Sequence, residues 1–222
     1  MSETTGEDSG PDAMEARQWF IASRFQEFAG ESRANLCRIV ALGSFYIVEL
    51  ITFRGLDLGV VTIPKEPTVD LAFHGAVTAI CVAWVGVAVT VASCLHRRVF
   101  PEKLKFLSTG ADVTLLTLML LLADGPRSPL LVGYFLLISL AGLRLDLQLV
   151  RATTLACVLG YLTLLGNARW YRQALRVPKY HELIFVLALV LSGVFLGQII
   201  RRVRLLSEDY SNRLRTAEGS PE

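Results

Sequence analysis

GADVTLLTLMLLLADGPRSPLLVGYFLLISLAGL, residues 110–143, consists of two apolar arms around the turn Asp124-Gly125-Pro126-Arg127-Ser128-Pro129. Proline lacks the amide donor and glycine relaxes the backbone, so a helix cannot run through this turn. The stretch predicts a helical hairpin buried in a membrane. Backbone groups freed in lipid are costly, which places the turn at the interface or under protein cover. Its polar atoms are then free to meet something else, and Asp124, Gly125, Ser128 and Pro129 become sensing candidates.

Outward from the hairpin the chain stays apolar. Of its 222 residues 53% are hydrophobic and the mean hydropathy is +0.48, above the range of an ordinary soluble domain. A spanning helix needs about 20 mostly apolar residues. Six stretches approach that length: 39–53, 71–95, 106–123, 128–143, 152–168 and 183–200. The expectation is all-α: a polytopic bundle of six transmembrane helices over residues 34–206. The first and fourth stretches are short, so Arg38 and Arg144 are expected to snorkel to the headgroups. The second carries no Asp, Glu, Lys or Arg and repeats small residues at Ala72/Ala76 and Ala79/Ala83, as an interior helix would.

The flanks differ in character. Residues 1–12 are acidic and almost without apolar side chains, which predicts a disordered tail. Over 13–33, Met14, Ile21, Phe25 and Phe28 share one helical stripe, the pattern of an amphipathic interfacial helix. Residues 54–70 combine two prolines with apolar side chains and read as a semi-ordered loop. After the sixth span, Ile199, Val203, Leu206 and Tyr210 continue at spacings of four, three and four, the seam of a short coiled coil. Residues 207–222 form that cytoplasmic extension and its flexible end.

Charge sets an orientation. The segment 96–105 holds four Lys or Arg against one acid and is placed in the cytoplasm, with both termini on the same side. Of the 22 Lys and Arg, only Arg54, Lys65, Arg127, Arg169, Arg172, Arg176 and Lys179 then lie outside. Four of those crowd into the loop 169–182, against the general bias.

Ionisable groups within a membrane are costly and are functional candidates by default. Asp112 lies about two turns into the third span, where Arg38 at similar depth offers a structural ion pair. Glu49, His74, Asp124, His181 and Glu182 fall toward the outer face and could form a proton- or metal-responsive cluster, or stand as independent interfacial groups. A haem held by His74 and His181 would sit at the membrane edge, and the sequence names no cofactor. Cys37, Cys81, Cys94 and Cys157 show no metal-ligand spacing. No nucleophile elbow, zinc pair or phosphate-binding loop occurs, so no catalytic residue is assigned. Gly193 and Gly197 form a GxxxG spacing that permits close helix crossing, including in a homodimer.

Arg38 opening the first span, Asp112 early in the third, the turn with Gly125, Ser128 and Pro129, Tyr134 in the fourth span and a charged helix after the sixth resemble the six-helix membrane input domains of bacterial sensor histidine kinases. In redox-responding relatives the turn reads roughly GGxxNPF and is implicated in quinone sensing. Here Asp124, Ser128 and Leu130 stand where those relatives carry Gly, Asn and Phe. Similar modules precede serine/threonine kinase or nucleotide cyclase domains, and no such domain follows within this chain. The resemblance implies a non-enzymatic input module of the bacterial inner membrane, with the lipid bilayer, a second copy and a cytoplasmic kinase or regulator as partners, and no nucleic acid. A small transporter or channel using Glu49 and Asp112, or a structural subunit docking through residues 13–33, are the alternatives.

Overall fold

The computed structural model describes residues 11–57, 62–63, 71–97 and 103–218, with side chains described over 30–55, 71–97 and 103–207. Six α-helices account for nearly all of it: α1 (Pro11–Arg54), α2 (Leu71–His96), α3 (Leu104–Leu122), α4 (Val132–Leu143), α5 (Leu147–Trp170) and α6 (Lys179–Glu218). Short 3-10 turns at Gly125–Arg127 and Pro129–Leu131 connect α3 to α4, and one at Gln173–Leu175 connects α5 to α6. The only strands among the described residues are a two-residue antiparallel pair, β1 (Leu56–Asp57) with β2 (Thr62–Ile63), in register Leu56 with Ile63.

Local chemistry accounts for the breaks. Gly125 adopts a φ of +54°, the left-handed region that a side chain disfavours, and this reverses the chain after α3. Ser128 then accepts the Leu130 amide at 3.2 Å with Pro129 at the first turn position, restarting the helix as α4. Asp146 caps α5, accepting the Gln148 and Leu149 amides at 2.9 and 3.2 Å.

Five helical stretches are long and apolar enough to cross a membrane: Gly30–Arg54, Leu71–His96, Leu104–Leu122, Leu147–Trp170 and Lys179–Ser207. The sixth predicted span corresponds to the shorter apolar segment Pro129–Leu143. At 1.5 Å per residue that segment reaches only about 22 Å. Apolar side chains face outward along the long helices, as at Val40, Val48, Val82, Leu155, Leu159, Leu187 and Phe195. So much exposed hydrocarbon is foreign to a water-facing monomer and matches a lipid exterior.

Helix legs run between two ends of the bundle. At one end, Arg144 meets Glu31 and Arg204 meets the Leu145 carbonyl. At the other, Glu49 meets His74 and Arg172 meets the Ala123 carbonyl. The N-terminal part of α1 and the C-terminal part of α6 therefore leave from the same end.

The interior is centred on α5, which packs against α3, α4 and α6. Tyr134, Ile138, Leu120, Tyr161, Leu164 and Leu189 form its apolar core. In lipid such contact is driven by close packing and hydrogen bonds rather than by water release. Gly160 shows the closeness: a Cβ there would come within 2.7 Å of Thr117 Oγ1 and 2.8 Å of the Tyr134 hydroxyl.

Three expectations change. Arg38 and Arg144 do not snorkel: Arg38 is buried and the Arg144 side chain is only 6% exposed, because carboxylates inside the bundle draw them inward. Helix α2 is not interior on all sides: Val77, Cys81, Trp84 and Ala88 face in, whereas Ala72, Ala79 and Ala83 face out. The stretch proposed as a separate amphipathic helix is continuous in backbone with the first span, within α1. The side chains of 13–29 and the tail 1–10 lie outside the described residues.

Candidate functional site

The inward stripe of α1 carries Glu31, Asn35, Arg38, Leu42, Tyr46 and Glu49, at intervals of three or four residues that keep one helix face. Polar groups on that stripe build two separate sites.

The larger site lies toward the Arg144 end. Arg38 Nε donates to both Asp112 carboxylate oxygens at 2.9 and 3.0 Å, and its NH2 group donates to Oδ2 at 2.7 Å. The pair is about 2% exposed on each side, so its strength depends on complete hydrogen bonding rather than on charge alone. Neighbouring groups extend the network. Arg38 NH1 donates to Asn35 Oδ1 at 2.6 Å, Asn35 Nδ2 donates to the Ala88 carbonyl at 3.2 Å, and Trp84 Nε1 donates to Asp112 Oδ1 at 2.8 Å. Helices α1, α2 and α3 are thereby tied through one carboxylate.

One turn closer to the end, Arg144 NH2 donates to Glu31 Oε1 at 2.7 Å, and Nε stands 2.6 Å from Oε2 as an ion-pair contact. Arg144 also reaches Thr109 Oγ1, Ser108 Oγ and the Lys105 carbonyl, joining α4 to α1 and α3. Burial pulls the Arg144 guanidinium below its ordinary value, and the Glu31 charge opposes that pull. Lys105 extends the network to Asp146. Burial alone would raise the Asp146 carboxyl, but hydrogen bonds from Lys105 and the Leu149 and Gln148 amides, with the Lys105 charge, hold it below its ordinary value.

The smaller site lies at the opposite end. His74 Nδ1 and Glu49 Oε1 are 2.8 Å apart, and the Phe53 ring stacks on His74 at a centroid distance of 4.2 Å and 4°. Glu49 Oε2 is buried without a hydrogen-bond partner among the described residues. Of the outer cluster expected from sequence, this pair alone is joined. His181 packs edge-on to Tyr180, and Asp124 is exposed. Among the described residues no group of three or more His, Cys, Asp or Glu is placed to hold a metal.

In the hairpin turn, Ser128 is engaged as a helix cap, Gly125 is buried and Pro129 is exposed. The arginines around it close backbone ends. Arg172 donates to the Leu121 and Ala123 carbonyls at 3.2 and 3.1 Å, Arg127 to the Arg176 carbonyl and Arg176 to the Arg169 carbonyl, both at 2.9 Å. Gly193 and Gly197 face α5: a Cβ on Gly193 would collide with Thr154, and one on Gly197 would stand 3.1 Å from Leu147. Val203 and Leu206 are exposed, 43% and 70%. The four cysteines are free thiols.

Sequence reading reached Arg38 with Asp112 but missed Glu31, Asn35, Trp84 and Arg144 as its companions. The available signal was the polar stripe of α1, since Glu31, Asn35 and Arg38 recur at helical spacing just where an apolar face would be expected.

These features define an all-helical chain with an apolar exterior and a hydrogen-bonded polar interior at one end. No family model matches the chain, and no curated protein or solved structure does so either.

Proposed function

We propose that this chain is a multi-pass membrane signal-input module without catalytic activity, which relays a stimulus from the Glu49–His74 end of the bundle through α6 to a partner at the other end. The observation that carries the reading is the continuity of α6 from Lys179 to Glu218. A helix without a break transmits displacement along its axis, and this one passes out of its apolar span at Ser207 while still helical. Val203 and Leu206 leave the bundle with apolar side chains exposed, as a docking seam requires. In this reading Pro129–Leu143 completes a sixth crossing, both termini are cytoplasmic, and the seam also serves a homodimer.

A flux pathway receives less support, because Asp112 is neutralised by a bidentate arginine and closed off by Trp84. The test is purification in mild detergent, with co-purifying proteins identified, alongside ion flux in reconstituted vesicles. A cytoplasmic protein retained by the native chain and lost from Val203→Glu/Leu206→Glu, with no flux under any gradient, supports the relay. Flux abolished by Asp112→Asn replaces it with transport.

A further inference from the structure

We propose that the cleft between α5 and α6 binds one anionic phospholipid, with its phosphate against Arg151 and Arg201 and an acyl chain lying against Leu155, Val158, Val190 and Val194. The cleft has a volume of about 350 Å³. Thr154 and Leu147 of α5 pack against Gly193 and Gly197 at its floor, and its apolar walls are Leu155, Val158, Val190 and Val194. It runs from Val158 to Leu147 along α5, which at 1.5 Å per residue is about 16 Å. That is half of a hydrocarbon core about 30 Å thick, the reach of one leaflet's acyl chain.

Charge selects the headgroup. Both arginines lie toward the Leu147 end of the cleft, and both are exposed. Arg38, Arg144, Arg172, Arg176 and Arg204 each donate to a carboxylate or a carbonyl. Arg151 and Arg201 have no such partner among the described residues, and no carboxylate lines the cleft with them. Basic pockets between helices at the membrane surface suit phosphate headgroups, and guanidinium matches phosphate in a fork geometry. A second copy seated on the same cleft would bring further Arg151 and Arg201 groups to a site that already carries two positive charges. The proposal requires a bilayer around the bundle, but not the signalling role of α6.

The full chain in detergent is titrated with palmitoyl-oleoyl phosphatidylglycerol and phosphatidylcholine in competition, and bound adducts are counted by native mass spectrometry. The native chain is expected to prefer phosphatidylglycerol on the order of tenfold. Arg151→Gln/Arg201→Gln should abolish the preference, whereas Arg202→Gln should keep it. Val194→Trp, which fills an exposed wall position, should lower occupancy by both lipids. Because the readout is a ratio within one sample, partial unfolding does not imitate it. The proposal is overturned by equal binding of the two lipids, by an equal loss in Arg202→Gln, by competition from glycerol phosphate at the same concentration, or by interchain crosslinking of Val194→Cys in membranes.

Discussion

Asp112 and Arg38 are each surrounded by groups that only the other's charge makes tolerable. Removing one leaves an uncompensated ion in a dry interior, whereas removing both leaves apolar volume. Asp112→Ala should therefore cost about 3–5 kcal/mol, and Arg38→Leu/Asp112→Leu distinctly less, read as thermal unfolding in detergent. Equal losses would mean that the pair carries no coupling. This contact was legible in the sequence because both residues could be assigned a depth along their helices. Trp84 was not, since a tryptophan in an apolar run reads as bulk and its indole donor shows only when Asp112 is placed 2.8 Å away. Arg144 was misread for a related reason: an arginine at a helix end looks the same in sequence whether it turns to a headgroup or to Glu31.

Helix ends are closed by side chains that also join neighbouring elements. Asp146 caps α5 and holds Lys105 of α3, so Asp146→Ala should cost about 1 kcal/mol from the lost cap. Its depressed titration fixes a sign for pH. The stabilisation from its charge is full above the ordinary carboxylate range and disappears as pH falls through the lower folded value. Unfolding curves of the native chain should therefore lose stability on acidification by more than those of Asp146→Asn, which keeps the cap without the charge. Arg172 plays the converse part at the C-terminal end of α3, and Arg172→Gln should destabilise by up to about 1 kcal/mol, measured by the same unfolding. The helices were legible from apolar runs bounded by prolines, glycines and charges. The inward face of α2 was not, because Ala and Val lie on both of its sides and only the position of Trp84 and Ala88 against α1 and α3 distinguishes them.

Taken whole, the bundle has two ends of unlike chemistry, and that polarity can be checked directly. Cysteines introduced at Asp124 and Ser207, in a chain with its own cysteines replaced, should react with impermeant reagents from opposite sides of the membrane. Reaction from one side only would remove the sixth crossing. The loop 169–182, whose arginines opposed the charge bias in sequence, is here partly a set of backbone clamps: Arg172 and Arg176 donate to carbonyls, and Arg127 of the hairpin turn donates to the Arg176 carbonyl, so two of its basic groups answer to carbonyls as well as to membrane potential. Helix α6 carries one more implication. An unbroken helix has a phase, and each residue added to it rotates everything beyond by about 100°. A single alanine inserted after Ser207 would swing Tyr210 and the residues beyond it to another compass bearing while leaving the bundle untouched, and a run of seven would bring them nearly back. The far end of this protein is thus addressed by angle as well as by distance.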